Sequence, residues 1–122
     1  SVFSVHHFLD IVIPVLTNLT AEFQRVASTR GIKVIFLTMP ACLHGSRPRH
    51  RSGPEGRNNP RIAALNRLLT DTLTAQGITV VDYFAPTILR QAEAGGDGFH
   101  YPLSPGTAGD TVARMVLQEL CD

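Results

Sequence analysis

A glycine-rich stretch near the carboxyl terminus, residues 95–102 (GGDGFHYP), holds the residues best suited to acid–base chemistry. Asp97 and His100 stand three positions apart in it. Imidazole exchanges protons best near neutral pH, and a carboxylate can hold it in the tautomer that activates a hydroxyl. Gly98 allows the backbone angles of a tight turn, which could bring Asp97 against the His100 ring. The spacing predicts a catalytic Asp–His pair, and the alternative is an ordinary Asp-Gly turn beside a solvated histidine.

The rest of the chain alternates between strand-like and helix-like patterns. Continuous apolar runs predict buried strands, and apolar residues recurring every three or four positions predict helices. We expect strands at 1–5, 32–38 and 78–82, and helices at 14–28, from Asn59 to Gln76, at 86–92 and from Ser104 onward. Gly31 is expected to end the first helix in a left-handed cap. Strands alternating with helices predict an α/β fold, a three-layer parallel sheet flanked by helices on both sides.

The carboxyl ends of parallel strands are where such folds collect functional groups. His6, His7, the loop that begins at Met39 and Asp82 each follow a predicted strand. We therefore expect them to share one edge of the sheet with Asp97 and His100.

The pattern Asp-Gly-x-His-Tyr-Pro is followed by Gly106, which opens a terminal amphipathic helix. This arrangement resembles the last conserved block of SGNH (GDSL-like) hydrolases. Residues 80–83 and 61–69 are similar to the strand and helix that precede that block, so the resemblance covers roughly residues 32–120. It implies an SGNH-like, flavodoxin-like sheet and a Ser-His-Asp triad to which the chain contributes His100 and Asp97.

Residues 2–8 (VFSVHHF) resemble the strand and Gly-x-His-Trp/Phe element of the PC-esterase group. That group includes trichome-birefringence-like polysaccharide acetyltransferases and the neurexophilin-and-PC-esterase proteins. His7 takes the motif's histidine position and Phe8 its aromatic position, whereas Val5 stands where the motif has glycine. The resemblance implies an O-acetyl ester on a glycan as substrate, with His7 and His6 on the substrate or oxyanion side. The alternative for both histidines is a structural pair that caps the sheet.

The nucleophile of that family lies in a Gly-Asp-Ser block near the start of the domain, and this sequence has none. Ser46, in the triplet 44–46 (HGS), is the closest imitation, but it lies in an arginine-rich loop. The resemblance also implies about two further strands before Ser1. We therefore interpret residues 1–122 as the C-terminal portion of a single SGNH-like domain. A missing N-terminal segment or a partner chain would carry the serine, and the alternative is a catalytically silent structural or binding subunit.

Composition limits the partners. Eleven basic residues balance ten acidic ones, so nothing global favours nucleic acid or an anionic membrane. The basic loop between His44 and Arg61 has no aromatic side chain to stack on bases, which argues against RNA as a ligand. No apolar run reaches the roughly 18 residues of a membrane span. The histidines and cysteines have no metal-site spacing, and we expect neither a metal nor another cofactor.

Two features bear on the cellular compartment. Asn18-Leu19-Thr20 is a glycosylation sequon, which indicates the secretory-pathway lumen or the extracellular space. Cys42 follows a strand, whereas Cys121 ends a helix of roughly 24 Å that runs back toward the opposite edge. Since a disulfide needs Cα atoms within about 7 Å, we expect each cysteine to be free or paired outside this chain.

Overall fold

The computed structural model describes residues 5–43, 59–96 and 98–122, with side chains from Leu9 onward. Helices dominate these ranges. In chain order the elements are α1 (Val5–Arg30), β1 (Ile35–Leu37), α2 (Asn59–Ala75), β2 (Thr79–Val81), α3 (Phe84–Ile88), a 3-10 turn (Gln91–Glu93) and α4 (Ala108–Cys121). None of the helices in the described ranges combines the length and the hydropathy needed to cross a lipid bilayer.

The two strands form one small sheet at the centre. β1 and β2 are parallel, in a register that sets Ile35 opposite Thr79 and Leu37 opposite Val81. The strands predicted at 32–38 and 78–82 are thus confirmed in position and parallel direction, but each is only three residues long. α2 and α4 both pack against β2. The buried apolar side chains come from both helices, from β2 and from the loops between them: Ala41, Ile62, Leu73, Ile78, Val81, Tyr101, Ala108 and Val112.

The predicted three-layer sheet is wrong. The described residues form a mostly helical structure with a sheet of two strands. Of the strand predicted at 1–5, Val5 begins α1, and residues 1–4 lie outside the described ranges. A short apolar run fits the first turn of a half-buried helix as well as it fits a strand, and its periodicity cannot distinguish the two.

α1 is longer than the pattern indicates, because Pro14 lies inside the helix and not in its first turn. Proline has no N–H, so the carbonyl one turn earlier, on Asp10, loses its helical donor there. The predicted end is confirmed: Gly31 has a φ of +67°, and the Ile32 N–H donates to the Ala27 carbonyl at 2.9 Å. This bond satisfies a carbonyl at the helix terminus and turns the chain toward β1.

α4 begins four residues after the predicted start at Ser104. Thr107 caps it, since its hydroxyl accepts from the Asp110 N–H at 3.3 Å. The Glu93 carboxylate accepts from the Ala108 N–H at 2.7 Å, which favours the helix by placing negative charge at its N-terminus. At the other end, Lys33 pairs with Glu119 at 3.6 Å. The end of α4 therefore lies beside the residues that lead into β1, at the amino edge of the sheet.

Candidate functional site

A hydrogen-bonded cluster fixes the carboxyl ends of the two strands. The buried Thr38 hydroxyl donates to the Asp82 carboxylate at 3.3 Å and accepts from the Tyr83 N–H at 2.8 Å. The same Asp82 oxygen accepts from the N–H groups of Phe84 and Ala85, at 2.9 and 3.1 Å. The carboxylate thereby satisfies amides at the start of α3, where negative charge is favourable. Asp82 follows β2 as expected, and the bonds of this oxygen stabilise the strand end.

Residues 39–43, here called the anchor segment, leave β1 and are held by two asparagine side chains of α2. Asn66 accepts from the Met39 N–H at 2.9 Å and donates to the Met39 carbonyl at 2.8 Å. Asn59 does the same for Cys42, at 2.8 and 2.9 Å. A carboxamide pairs with a residue's N–H and C=O as a neighbouring strand would. α2 therefore holds the anchor segment against the sheet through these two side chains.

Ala41 lies between those two contacts and is fully buried. Its backbone groups are bonded by side chains outside α2. Its N–H donates to the Thr87 hydroxyl of α3 at 2.8 Å. Its carbonyl accepts from the Tyr101 hydroxyl, also at 2.8 Å. Burial raises the pKa of the Tyr101 phenol, so this group remains a hydrogen-bond donor at neutral and moderately alkaline pH. Tyr101 thus ties the residue after His100 to the anchor segment.

The loop of residues 95–101, the His100 loop, is closed by its own backbone. The Gly95 N–H donates to the His100 carbonyl at 2.6 Å, and the Gly98 N–H donates to the Gly95 carbonyl at 2.8 Å. Gly98 has a φ of +79°, which fits the prediction that this position needs glycine. Its carbonyl accepts from the Leu43 N–H at 2.6 Å. The His100 loop is therefore bonded to the anchor segment at Leu43 as well as at Ala41.

His100 is exposed on this loop, and its ring lies 4.5 Å from the Phe99 ring, between centroids, at 45°. An exposed imidazole next to a buried tyrosine anchor can exchange protons with a bound substrate. Asp97 lies outside the described residues, so its predicted hydrogen bond to His100 stays a prediction. The position of His100 beyond the carboxyl end of β1 follows from the bonds of its loop to Ala41 and Leu43.

The backbone of His6 and His7 forms part of the first turn of α1, not the end of a strand. The interpretation of these residues as strand-end histidines is therefore wrong, because Val5 already begins the helix. Their side chains fall outside the described part of the chain, so the role proposed for them at a substrate or oxyanion site stays a prediction.

Sequence reasoning missed the residues that fix the site. Asn59 begins α2 as predicted, but the bond of its side chain to the anchor segment was not foreseen. Asn66 lies four residues after Ile62 and seven before Leu73, both buried on the same face of α2. A polar residue on an otherwise apolar helical face requires a buried partner, and that pattern was the available signal. Which backbone group it bonds depends on tertiary packing.

Cys42 and Cys121 form no disulfide with each other. Cys42 follows β1, and Cys121 lies two residues after Glu119 at the amino edge, which is the separation expected. In the ranges that the structure describes, no group of three or more His, Cys, Asp or Glu side chains could hold a metal ion.

Comparison with known proteins yields no match for this chain among family models, curated proteins or solved structures.

Proposed function

We propose that this chain contributes His100 and Asp97 to a serine esterase or O-acyltransferase of SGNH type. The substrate class is an ester-linked acyl group, such as an O-acetyl group on a glycan. The nucleophilic serine lies outside this chain, in a preceding segment or a partner. His7 and His6 would act on the substrate or oxyanion side.

One observation carries the proposal: an exposed histidine is held on a loop that is bonded at two points to the anchor segment. A general base must keep its position while the proton moves, and rigid support is what catalytic side chains require. The Tyr101–Ala41 and Leu43–Gly98 bonds supply this support. A solvated loop histidine without function would not require it.

The reaction follows from the groups. The external serine hydroxyl attacks the ester carbonyl while His100 takes its proton, and Asp97 holds the ring in the required tautomer. The tetrahedral intermediate collapses, and His100 returns the proton to the departing alcohol, leaving an acyl-serine. Water or a second hydroxyl then removes the acyl group with the same histidine as base. If water removes the acyl group the enzyme is a hydrolase, and if a second hydroxyl removes it the enzyme is a transferase.

The test uses the natural polypeptide that contains this sequence, assayed with p-nitrophenyl acetate and with acetylated xylan. His100→Gln keeps a polar side chain but removes the base. We expect kcat to fall by about 10²–10⁴-fold, the usual contribution of general acid–base catalysis. A fluorophosphonate probe reports the activated serine, and its labelling should fall in parallel.

His50→Gln serves as the matched control, because it removes a histidine from the basic loop, which has no assigned part in the reaction. Its kcat should stay within twofold of the parent. An unchanged kcat in His100→Gln, or equal losses in both variants, would rule out the catalytic role.

The second candidate is a catalytically silent subunit of a larger assembly, and the missing Gly-Asp-Ser block favours it. Under this reading the natural polypeptide hydrolyses neither ester and takes up no fluorophosphonate. The bonds of the His100 loop would then serve to shape a binding surface.

The proposed location is the secretory pathway or the extracellular space. Asn18 of the sequon is exposed on α1, so its side chain is accessible. Peptide mapping after glycosidase treatment of the natural protein tests this, and an unmodified Asn18 would remove the main support for that location.

A further inference from the structure

A small cavity lies beside β2, between α2 and the start of α3. Its volume is about 280 Å³. Buried Thr38 and Asn66 contribute to its wall, and the remaining lining residues are Ala63, Arg67, Thr70, Asp71, Val80, Asp82 and Phe84. At roughly 30 Å³ per water molecule, it has room for about nine waters. A single pyranose ring fits within this volume.

Several polar groups in this cavity have no partner among the described residues. The side chains of Arg67, Thr70 and Asp71 make no hydrogen bond or ion pair there, although Arg67 and Asp71 stand one helical turn apart with opposite charges. Asp82 uses one carboxylate oxygen, Oδ1, to bind Thr38 and the start of α3, which leaves Oδ2 available. Because Arg67, Asp71 and Asp82 are exposed, the cavity offers solvent-accessible acceptors and donors side by side.

The other side of the cavity is apolar. Phe84, Val80 and Ala63 line it with an aromatic ring and aliphatic carbon. Ligand sites typically combine apolar walls with a few fixed polar groups. A carbohydrate ring matches this combination, since its hydroxyls both donate and accept while its C–H face packs on aromatic carbon. A simple alkylammonium would use the carboxylates but leave the Arg67 donors unmatched.

The cavity also adjoins the His100 loop through the chain. Tyr83 follows Asp82 directly, and its ring lies 6.1 Å from the Tyr101 ring, between centroids. Tyr101 in turn follows His100. The cavity and the His100 loop therefore both lie at the carboxyl end of the two strands.

We propose that this cavity is a subsite for one neutral monosaccharide unit of a glycan. The carboxylates of Asp71 and Asp82 accept from its hydroxyls, the guanidinium of Arg67 donates to them, and Phe84 packs on the ring. The choice of ligand rests on the function proposed above, whereas the binding itself does not depend on a serine nucleophile.

The test is an NMR titration of the isotopically labelled chain with the methyl glycosides of xylose, glucose and galactose and with ethylammonium chloride. We expect at least one sugar to bind with a Kd in the range of about 1–10 mM, as suits a single weak subsite. Saturable shifts should be confined to amides near Thr70, Asp71 and Phe84. Asp71→Asn and Arg67→Gln should each weaken binding about tenfold, which corresponds to about 1.4 kcal/mol.

Asp10→Asn and Arg30→Gln are the matched controls, since both remove exposed charges of α1 and neither residue lines the cavity. They should leave the Kd unchanged. The proposal is overturned if no sugar shifts these amides, if the shifts map elsewhere, if all four variants behave alike, or if ethylammonium binds and no sugar does.

His100→Gln separates this inference from the proposed function. The variant should bind the sugar with the Kd of the parent even where it abolishes ester cleavage. Sugar binding in a polypeptide without esterase activity would support the subsite and contradict the proposed enzymatic function. Esterase activity without sugar binding would contradict only the subsite.

Discussion

Ala41 is fully buried and has no polar side chain, yet both of its backbone polar groups are bonded to side chains from other elements. The Thr87 hydroxyl accepts from its N–H, and the Tyr101 hydroxyl donates to its carbonyl. A buried backbone group without a partner is costly, so these two side chains let a loop residue occupy the core. The carbonyl bond also joins the anchor segment to the His100 loop, as the Leu43–Gly98 bond does.

Tyr101→Phe tests that contact. The substitution keeps the buried ring and leaves the Ala41 carbonyl without its donor, which costs about 1–3 kcal/mol. We expect the free energy of unfolding, measured by urea denaturation, to fall by that amount. The amides of Leu43 and Gly98 should exchange faster with solvent, because the His100 loop loses its bond to the Ala41 carbonyl.

Tyr83→Phe is the matched control. The Tyr83 side chain forms a ring contact with Tyr101, and no bond of its hydroxyl is described. Its removal should change stability by less than about 0.5 kcal/mol. Equal effects in the two variants would show that the Tyr101 hydroxyl does not support the loop.

At the scale of elements, α4 meets the His100 loop at a glycine. Gly109 is buried in the first turn of α4, and a Cβ added there would lie 2.1 Å from the Pro102 carbonyl oxygen. The helix and the end of the loop are therefore in backbone contact. This close approach sets where residues 95–102 run before the chain enters α4.

We expect Gly109→Ala to lower the free energy of unfolding, although helix propensity alone predicts that it would rise. In an open helix, alanine stabilises by about 1 kcal/mol relative to glycine. Here the methyl group would collide with backbone atoms that cannot move independently, and overpacking costs about 1–3 kcal/mol or more. We expect the free energy of unfolding and the thermal midpoint to fall.

Gly96→Ala supplies the comparison, because a Cβ at Gly96 meets no atom within 4 Å. Its stability should change by less than about 0.5 kcal/mol. A stabilised Gly109→Ala variant would mean that α4 does not approach Pro102 as closely as the structure indicates.

The elements that sequence patterns predicted well are those with local signals. Gly31 and Gly77 end α1 and α2 with positive φ, and the continuous apolar runs before Thr38 and Asp82 are strands. The clamps made by Asn59 and Asn66 were not predictable, since they join positions 17 and 27 residues apart in sequence. Local patterns report propensity, whereas such bonds depend on how α2 packs beside the sheet.

At the scale of the whole molecule, α1 occupies part of the segment predicted as the first strand, and one of its faces leaves apolar side chains exposed. A run of apolar residues that extends around a helix is typical of one buried on several sides. Thr20 and Gln24, on the inner face of α1, hydrogen-bond Gln76, the residue that follows α2. Its outer face carries four side chains that are about half exposed or more: Ile11, Val15, Leu19 and Phe23. These four residues, spaced four apart, form a continuous apolar stripe.

Because the stripe faces solvent, it contributes little to the folding of one chain and favours association. We therefore expect the 122-residue chain to sediment with a concentration-dependent mass and to bind a hydrophobic dye. The double variant Val15→Gln, Leu19→Gln should remain monomeric at concentrations where the parent associates. Its free energy of unfolding should change by less than about 1 kcal/mol, since these side chains bury only part of their apolar surface.

Leu73→Ala provides the contrast, because Leu73 is fully buried between α2 and the sheet. Removing its side chain should cost about 2–5 kcal/mol and leave the association of the remaining folded protein unchanged. Leu73→Ala and the stripe variant thus distinguish effects on folding stability from effects on association between chains. If the stripe variant lost as much stability as Leu73→Ala, the outer face of α1 would belong to the core. If the parent sedimented as a monomer without binding dye, the stripe would not drive association.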